Sequence, residues 1–221
     1  MTNDLDDELI DTLIAPNRNE FENDPISYSA MAYEQWKTLA YLAGYDVDFE
    51  GRASSDELKN PVLWLSHARA LSDAATIIIK TNNSYEHLQP LIRKMADRQF
   101  CSVGLMLVGL SIEVYIKGFY IYSKGIEGYK SSEKEFQHHN LSKLAKIFFT
   151  LEEKDYAILR ALTIFIYWAG RYPDPGAKKL LELEELFTLS EKFEITIKDI
   201  FLTLGKISEQ IVSYIDAKAI G

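Results

Sequence analysis

Residues 100–124, FCSVGLMLVGLSIEVYIKGFYIYSK, decide the fold of this chain. Apolar side chains fill nearly every helical position from Phe100 to Tyr122, and at about 1.5 Å per residue the stretch is long enough to cross a bilayer. Glu113 and Lys117 interrupt it. In the Glu-then-Lys order, four residues apart, they share one face of a helix and can pair there, whereas each would be costly at a bilayer centre. The stretch therefore reads as the central helix of a soluble bundle, covered by neighbours on several sides. It is expected to start near Arg93 or Lys94 and to end about Lys124, where Gly125 and Gly128 break the pattern.

Outward from this helix the punctuation stays helical. Upstream, Asn60 and Pro61 supply a cap and a first-turn proline for a helix running to about Lys80. An earlier helix is expected over Tyr28 to Ala43, ended by Gly44. Downstream, Asn140 caps a short helix with the stripe Leu141, Leu144, Ala145 and Phe148. Thr150 with Glu153 has capping-box spacing for a helix from Glu152 to about Ala169, which Gly170 and the Pro173 to Gly176 cluster end. A short helix near Lys179 to Phe187 and a long amphipathic one from about Ile195 to Ala219 complete the chain. The run Thr76 to Ile79 is β-branched but lacks alternation or a hairpin turn, so no strand is expected. The class is all-α, a helical bundle of long antiparallel helices with short accessory helices. Three portions are expected: an acidic leader over 1–25 with an amphipathic turn at Leu9, Ile10, Leu13 and Ile14, a helical extension over 26–93 packed on the bundle, and the bundle proper over 94–221.

The 221 residues are 47% hydrophobic and 26% charged, the balance of a folded globular chain. The net charge is −9, and the first 25 residues hold eight acidic side chains against Arg18 alone. The remainder is nearly neutral, which argues against broad non-specific binding to DNA and leaves a local basic patch open. The acidic start is unlike a secretory leader, no membrane span is read, and Cys101 is the single cysteine. A cytoplasmic address follows as the expectation. In the apolar helix, Cys101 reads as a packed thiol.

Chemistry-bearing residues are few. Glu135-Phe136-Gln137-His138 is a single E-x-x-H string in an expected polar connection, whereas a di-iron bundle needs two on long helices. No metal or cofactor is expected. Gly104 and Gly109 have the spacing of a phosphate-binding loop, but Leu110, ahead of Ser111, stands where that loop needs its Lys, so both glycines read as close-packing positions. His138 and His139 read as helix-entry or solvated loop residues. Glu113 and Lys117 read as a structural pair, with the floor of a ligand cleft as the alternative. Arg171 and Tyr172 follow an apolar helix at a proline-rich turn, where the arginine either caps the helix end or offers its fork to a phosphate or carboxylate.

Three landmarks in order, Ser111-Ile112-Glu113-Val114-Tyr115-Ile116-Lys117-Gly118, His138-His139-Asn140-Leu141-Ser142-Lys143-Leu144, and Trp168-Ala169-Gly170-Arg171-Tyr172-Pro173, give the chain a resemblance to the HEPN superfamily, the higher eukaryote and prokaryote nucleotide-binding helical domains. The resemblance covers roughly residues 94–218. It implies a helical bundle that dimerises, in proteins of RNA cleavage, toxin and antitoxin pairs, phage defence and stress response. Active ribonucleases of the family carry an arginine, four to six residues, then a histidine. None of the seven arginines here, at 18, 52, 69, 93, 98, 160 and 171, has a histidine at that spacing. No catalytic residue is carried over. The leading expectation is a non-catalytic interaction or regulatory module, a homodimer with a protein or RNA partner. The rivals are a ribonuclease built from Arg171, Tyr172 and His138 or His139 across a dimer, and a nucleotide or small-ligand sensor using Glu113, Lys117 and Arg171.

Overall fold

The computed structural model describes residues 16–174, 176 and 179–220, and among these every regular element is helical. The expected turn at Leu9 to Ile14, together with Pro175 of the proline-rich cluster, lies outside the described residues. The chain divides into two compact units, Met1–Arg52 and Ala53–Gly221.

In the first unit, α1 (Arg18–Asn23), α2 (Pro25–Glu34) and α3 (Trp36–Leu42) replace the single helix expected over 28–43. Asp24 caps α2, its carboxylate accepting from the Ser27 N–H at 3.0 Å, and Pro25 takes the first turn. Gln35, at φ −80° and ψ −3°, ends α2 and starts α3, a turn that composition does not announce. Gly44 closes α3 at φ +85°, the left-handed conformation a glycine adopts without strain.

The second unit is organised by α4 (Pro61–Lys80) and α5 (Pro90–Phe136), which pack antiparallel along their length. Asn60 and Pro61 open α4 as expected, with the Asn60 side chain accepting from the Val62 N–H at 3.0 Å. What lets the two helices approach is a seam of small residues at seven-residue spacing on α5. Gly104, Ser111 and Gly118 are all buried. A Cβ on Gly104 would stand 2.8 Å from Ile79 Cγ1, and one on Gly118 2.8 Å from Trp64 Cβ. Between them the Ser111 hydroxyl donates to the Ala68 carbonyl at 2.7 Å. Gly109, on another face, meets Ile166 in the same way at 2.9 Å. The reading of Gly104 and Gly109 as close-packing sites therefore holds.

α5 begins at Pro90, before the expected Arg93, and does not stop at Lys124. Gly125 breaks its axis at φ +74°, and helix resumes to Phe136. A straight helix would separate Tyr120 from Phe136 by about 24 Å. Their rings lie 4.0 Å apart, so the chain reverses at Gly125 and lays Tyr129 and Phe136 back on Tyr120. Gly128 sits inside the returning helix, and the connection expected to be polar loop is mostly helical.

The short helix α6 (Leu141–Ala145) starts at Asn140, whose side chain accepts from the Lys143 N–H at 2.9 Å. α7 (Glu153–Ile164) is capped two residues later than its sequence suggests. Glu152 is the N-cap, and its N–H donates to Asp155 at 3.0 Å, so Thr150 and Glu153 do not form the expected box. α8 (Leu180–Phe193) runs beyond Phe187, and α9 (Ile197–Ile220) closes the bundle. Ile112, Ile116, Ile158, Leu162, Leu204 and Ile207 form the centre of the core. Ile197, in the first turn of α9, is 46% exposed.

α4 and α5 each carry a stretch long and apolar enough to cross a membrane by length and composition, as the core helix of a soluble protein also can. Cys101 corrects an expectation: it faces outward from α5 and is exposed, because its neighbours in the apolar run, not Cys101 itself, face α4 and α7.

Candidate functional site

Glu113 is 5% exposed, and both of its carboxylate oxygens are engaged. Oε1 accepts from Lys117 Nζ at 2.6 Å, one helical turn along α5. Oε2 lies 2.8 Å from His139 Nδ1, 26 positions away at the entry to α6. Lys117 is nearly as buried as its partner, while the His139 side chain keeps 41% of its surface. A carboxylate at Nδ1 fixes the ring's orientation. The His139 ring meets Tyr167 edge to face at 5.4 Å, and Lys179 Nζ stands 5.5 Å from the centre of the same Tyr167 ring. Two of the sequence candidates, Glu113 and Lys117, are thus joined by a third, His139, with Tyr167 and Lys179 unread in the sequence.

His138 points elsewhere. Its Nδ1 accepts from the Asn140 N–H at 3.2 Å, the helix-entry role expected for it. The ring proton then falls on Nε2, which is buried without a hydrogen-bond partner among the described residues. Burial, with the nearby Lys143 and Lys117 ammonium groups, pushes this imidazole below the ordinary histidine range.

Arg171 and Tyr172 belong to a second place. α7 ends in one turn of π-helix, Phe165–Ala169, with the Gly170 N–H bonding back five residues to Phe165 at 3.0 Å. Such a turn re-aims the side chains that follow it. Trp168 is anchored by its indole N–H, which donates to Glu182 on α8 at 2.6 Å. A Cβ on Gly170 would sit 2.5 Å from Met106 Cβ, so only glycine lets the turn close against α5. Arg171 and Tyr172 then emerge exposed into an open groove of about 1100 Å³ between the start of α5, the end of α7 and α8. Met95, Arg98, Val103, Leu183 and Phe187 line it with them. The guanidinium groups of Arg98 and Arg171 have no hydrogen-bond or ion-pair partner among the described residues, so Arg171 places no side-chain cap on α7.

Within one chain, then, the histidines and Arg171 are held in different surroundings. His139 is tied to Glu113 and Tyr167, whereas neither histidine is among the residues lining the groove that receives Arg171. Among the described residues no group of three or more His, Cys, Asp or Glu side chains is arranged to hold a metal ion. A second buried polar network, Asp155 with Lys206 at 2.8 Å and Thr203 at 2.8 Å, ties α7 to α9 and has the character of a structural brace. Comparison with protein-family models, with curated proteins and with solved structures returned no match.

Proposed function

We propose that the chain is a HEPN-like helical module of the cytoplasm that acts by binding, as an interaction or regulatory component in a bacterial stress, toxin and antitoxin or phage-defence setting. The observation that supports this reading is the parting of two groups that phosphodiester cleavage would need together. A guanidinium to hold the phosphate and an imidazole to move the proton must converge on one bond. Here His139 is bound to Glu113 while Arg171 opens into the groove beside Arg98. The test is incubation of the pure protein with total RNA, alongside the Arg171→Ala variant. Intact RNA is the expected result; reproducible cutting that disappears in the variant overturns the proposal.

One observation favours the rival ribonuclease. The Glu113 contact orients the His139 ring and leaves it half exposed, as a general base requires. On that reading Arg171 and Tyr172 of a second subunit complete the site. It requires that induced expression arrests growth and that His138→Ala with His139→Ala relieves the arrest.

A further inference from the structure

We propose that the groove beside Arg171 docks an amphipathic helix of a protein partner, one that carries Asp or Glu alongside an apolar stripe. This deepens the binding reading, on which it rests, by naming the partner's chemistry. α8 packs on α7 and not along α5, so α5 and α8 stand apart as the two walls of the groove. The lining stretches, Met95 to Val103 on α5 and Leu183 to Ser190 on α8, are each about 10 to 12 Å long, roughly two helical turns. Phe165 and Trp168, at the end of α7, line the space between them. A slot between two helices, with a third beneath, is the place that a further helix of a bundle takes.

The surface of the slot fixes the chemistry of what fills it. Phe187 is 63% exposed, Met95 53% and Leu183 41%, an apolar face left open to solvent. Arg98 and Arg171 are the only charged side chains among its lining residues, and both are exposed without a hydrogen-bond or ion-pair partner among the described residues. The glutamates of α8 do not line it, and Glu182 is engaged by the Trp168 indole N–H. Two unpaired guanidinium forks on an apolar face suit carboxylates set beside the apolar stripe of a helix. A basic helix would bring like charge to both arginines. A nucleic acid would bring a phosphate with every nucleotide to a site with two cations, and would lay sugar and phosphate against Met95 and Leu183.

Selection of displayed random peptides of about fourteen residues, roughly four helical turns, on the full chain tests this. The enriched sequences are expected to carry apolar residues at three- and four-residue spacing with Asp or Glu alongside. The best binder is then titrated by fluorescence anisotropy against wild type, Arg98→Glu with Arg171→Glu, and Phe187→Ser. Each variant is expected to bind about tenfold more weakly, or not at all. Exchanging the acidic residues of the peptide for lysine is expected to restore binding to the charge-reversed protein, which a misfolded chain would not do. Absence of enrichment overturns the proposal. So do enriched sequences without acidic residues, an affinity that neither variant changes, or a charge-reversed protein that no lysine peptide rescues. An oligouridine probe that binds through the two arginines while no peptide is enriched assigns the groove to nucleic acid instead. Failure of the peptides with total RNA left intact removes the helix and keeps the binding reading, whereas RNA cutting lost in Arg171→Ala removes that reading whatever the peptides do.

Discussion

Glu113 and His139, 26 positions apart, are joined by a 2.8 Å contact that fastens the entry of α6 to the middle of α5. The same carboxylate closes a 2.6 Å ion pair with Lys117, so one buried group holds two elements in register. Removing one member of such a set leaves an unpaired charge away from water, which costs more than the pair is worth.

Glu113→Gln and Lys117→Met are each expected to destabilise the second unit by about 3 kcal/mol, or about 10 °C in Tm for a chain of this size. The double variant Glu113→Gln with Lys117→Met is expected to lose less than the sum of the two, because no ammonium or carboxylate is then stranded. Urea midpoints of the three variants decide it; additive losses would show that the two side chains act independently.

Gly118→Ala is expected to destabilise by about 2 kcal/mol, since its Cβ would press on Trp64 Cβ at 2.8 Å and that atom is fixed to the α4 backbone. Gly205→Ala, in the interior of α9 with nothing within 4 Å of the new atom, is expected to stabilise by about 0.5 to 1 kcal/mol. Thermal denaturation of the two variants should move in opposite directions.

Burial pushes the Asp155 carboxyl up, but the Lys206 ammonium, the Glu152 N–H and the Thr203 hydroxyl outweigh it and hold the group below the ordinary carboxylate range. A carboxylate depressed on folding adds stability above its unfolded value of about 3.9, and that stability drains away as pH falls through the lower folded value. Asp155→Asn should therefore be clearly less stable than wild type at neutral pH and approach it in strong acid. Urea midpoints across the acid limb measure this, and a constant difference would contradict it.

His138 is expected to titrate below a free histidine, because its buried Nε2 cannot hydrate the imidazolium. The unfolded chain then takes up this proton first as pH drops through about 6.5, so the contribution favours the fold above that value and fades below it. An NMR titration of the ring protons resolves the point; a midpoint at or above the free value would count against the burial.

Much of the helical order was legible because its signals are local. Asn60-Pro61 and Asn140 cap where they stand, Gly104 and Gly109 mark close approaches, and Glu113 pairs with Lys117 one turn away. Errors arose where a local signal had two outcomes. Gly125 reads equally as an end or as a kink, and packing of Phe136 on Tyr120 selects the kink. Cys101 reads as core in a run that is apolar all round, and only the placement of α4 and α7 leaves it outside. Tyr167 and Lys179 carried no signal, since their relation to His139 exists only after α6, α7 and α8 are assembled.

By itself the sequence determined the all-helical class, the long antiparallel pair and the absence of the arginine–histidine spacing, because helix periodicity, caps and breakers act over a few residues. The tertiary structure alone decided that His139 joins Glu113 and that Arg171 turns into a groove with Arg98. Contacts between residues tens of positions apart depend on where the chain reverses and which faces are covered, and no local pattern in the sequence encodes that.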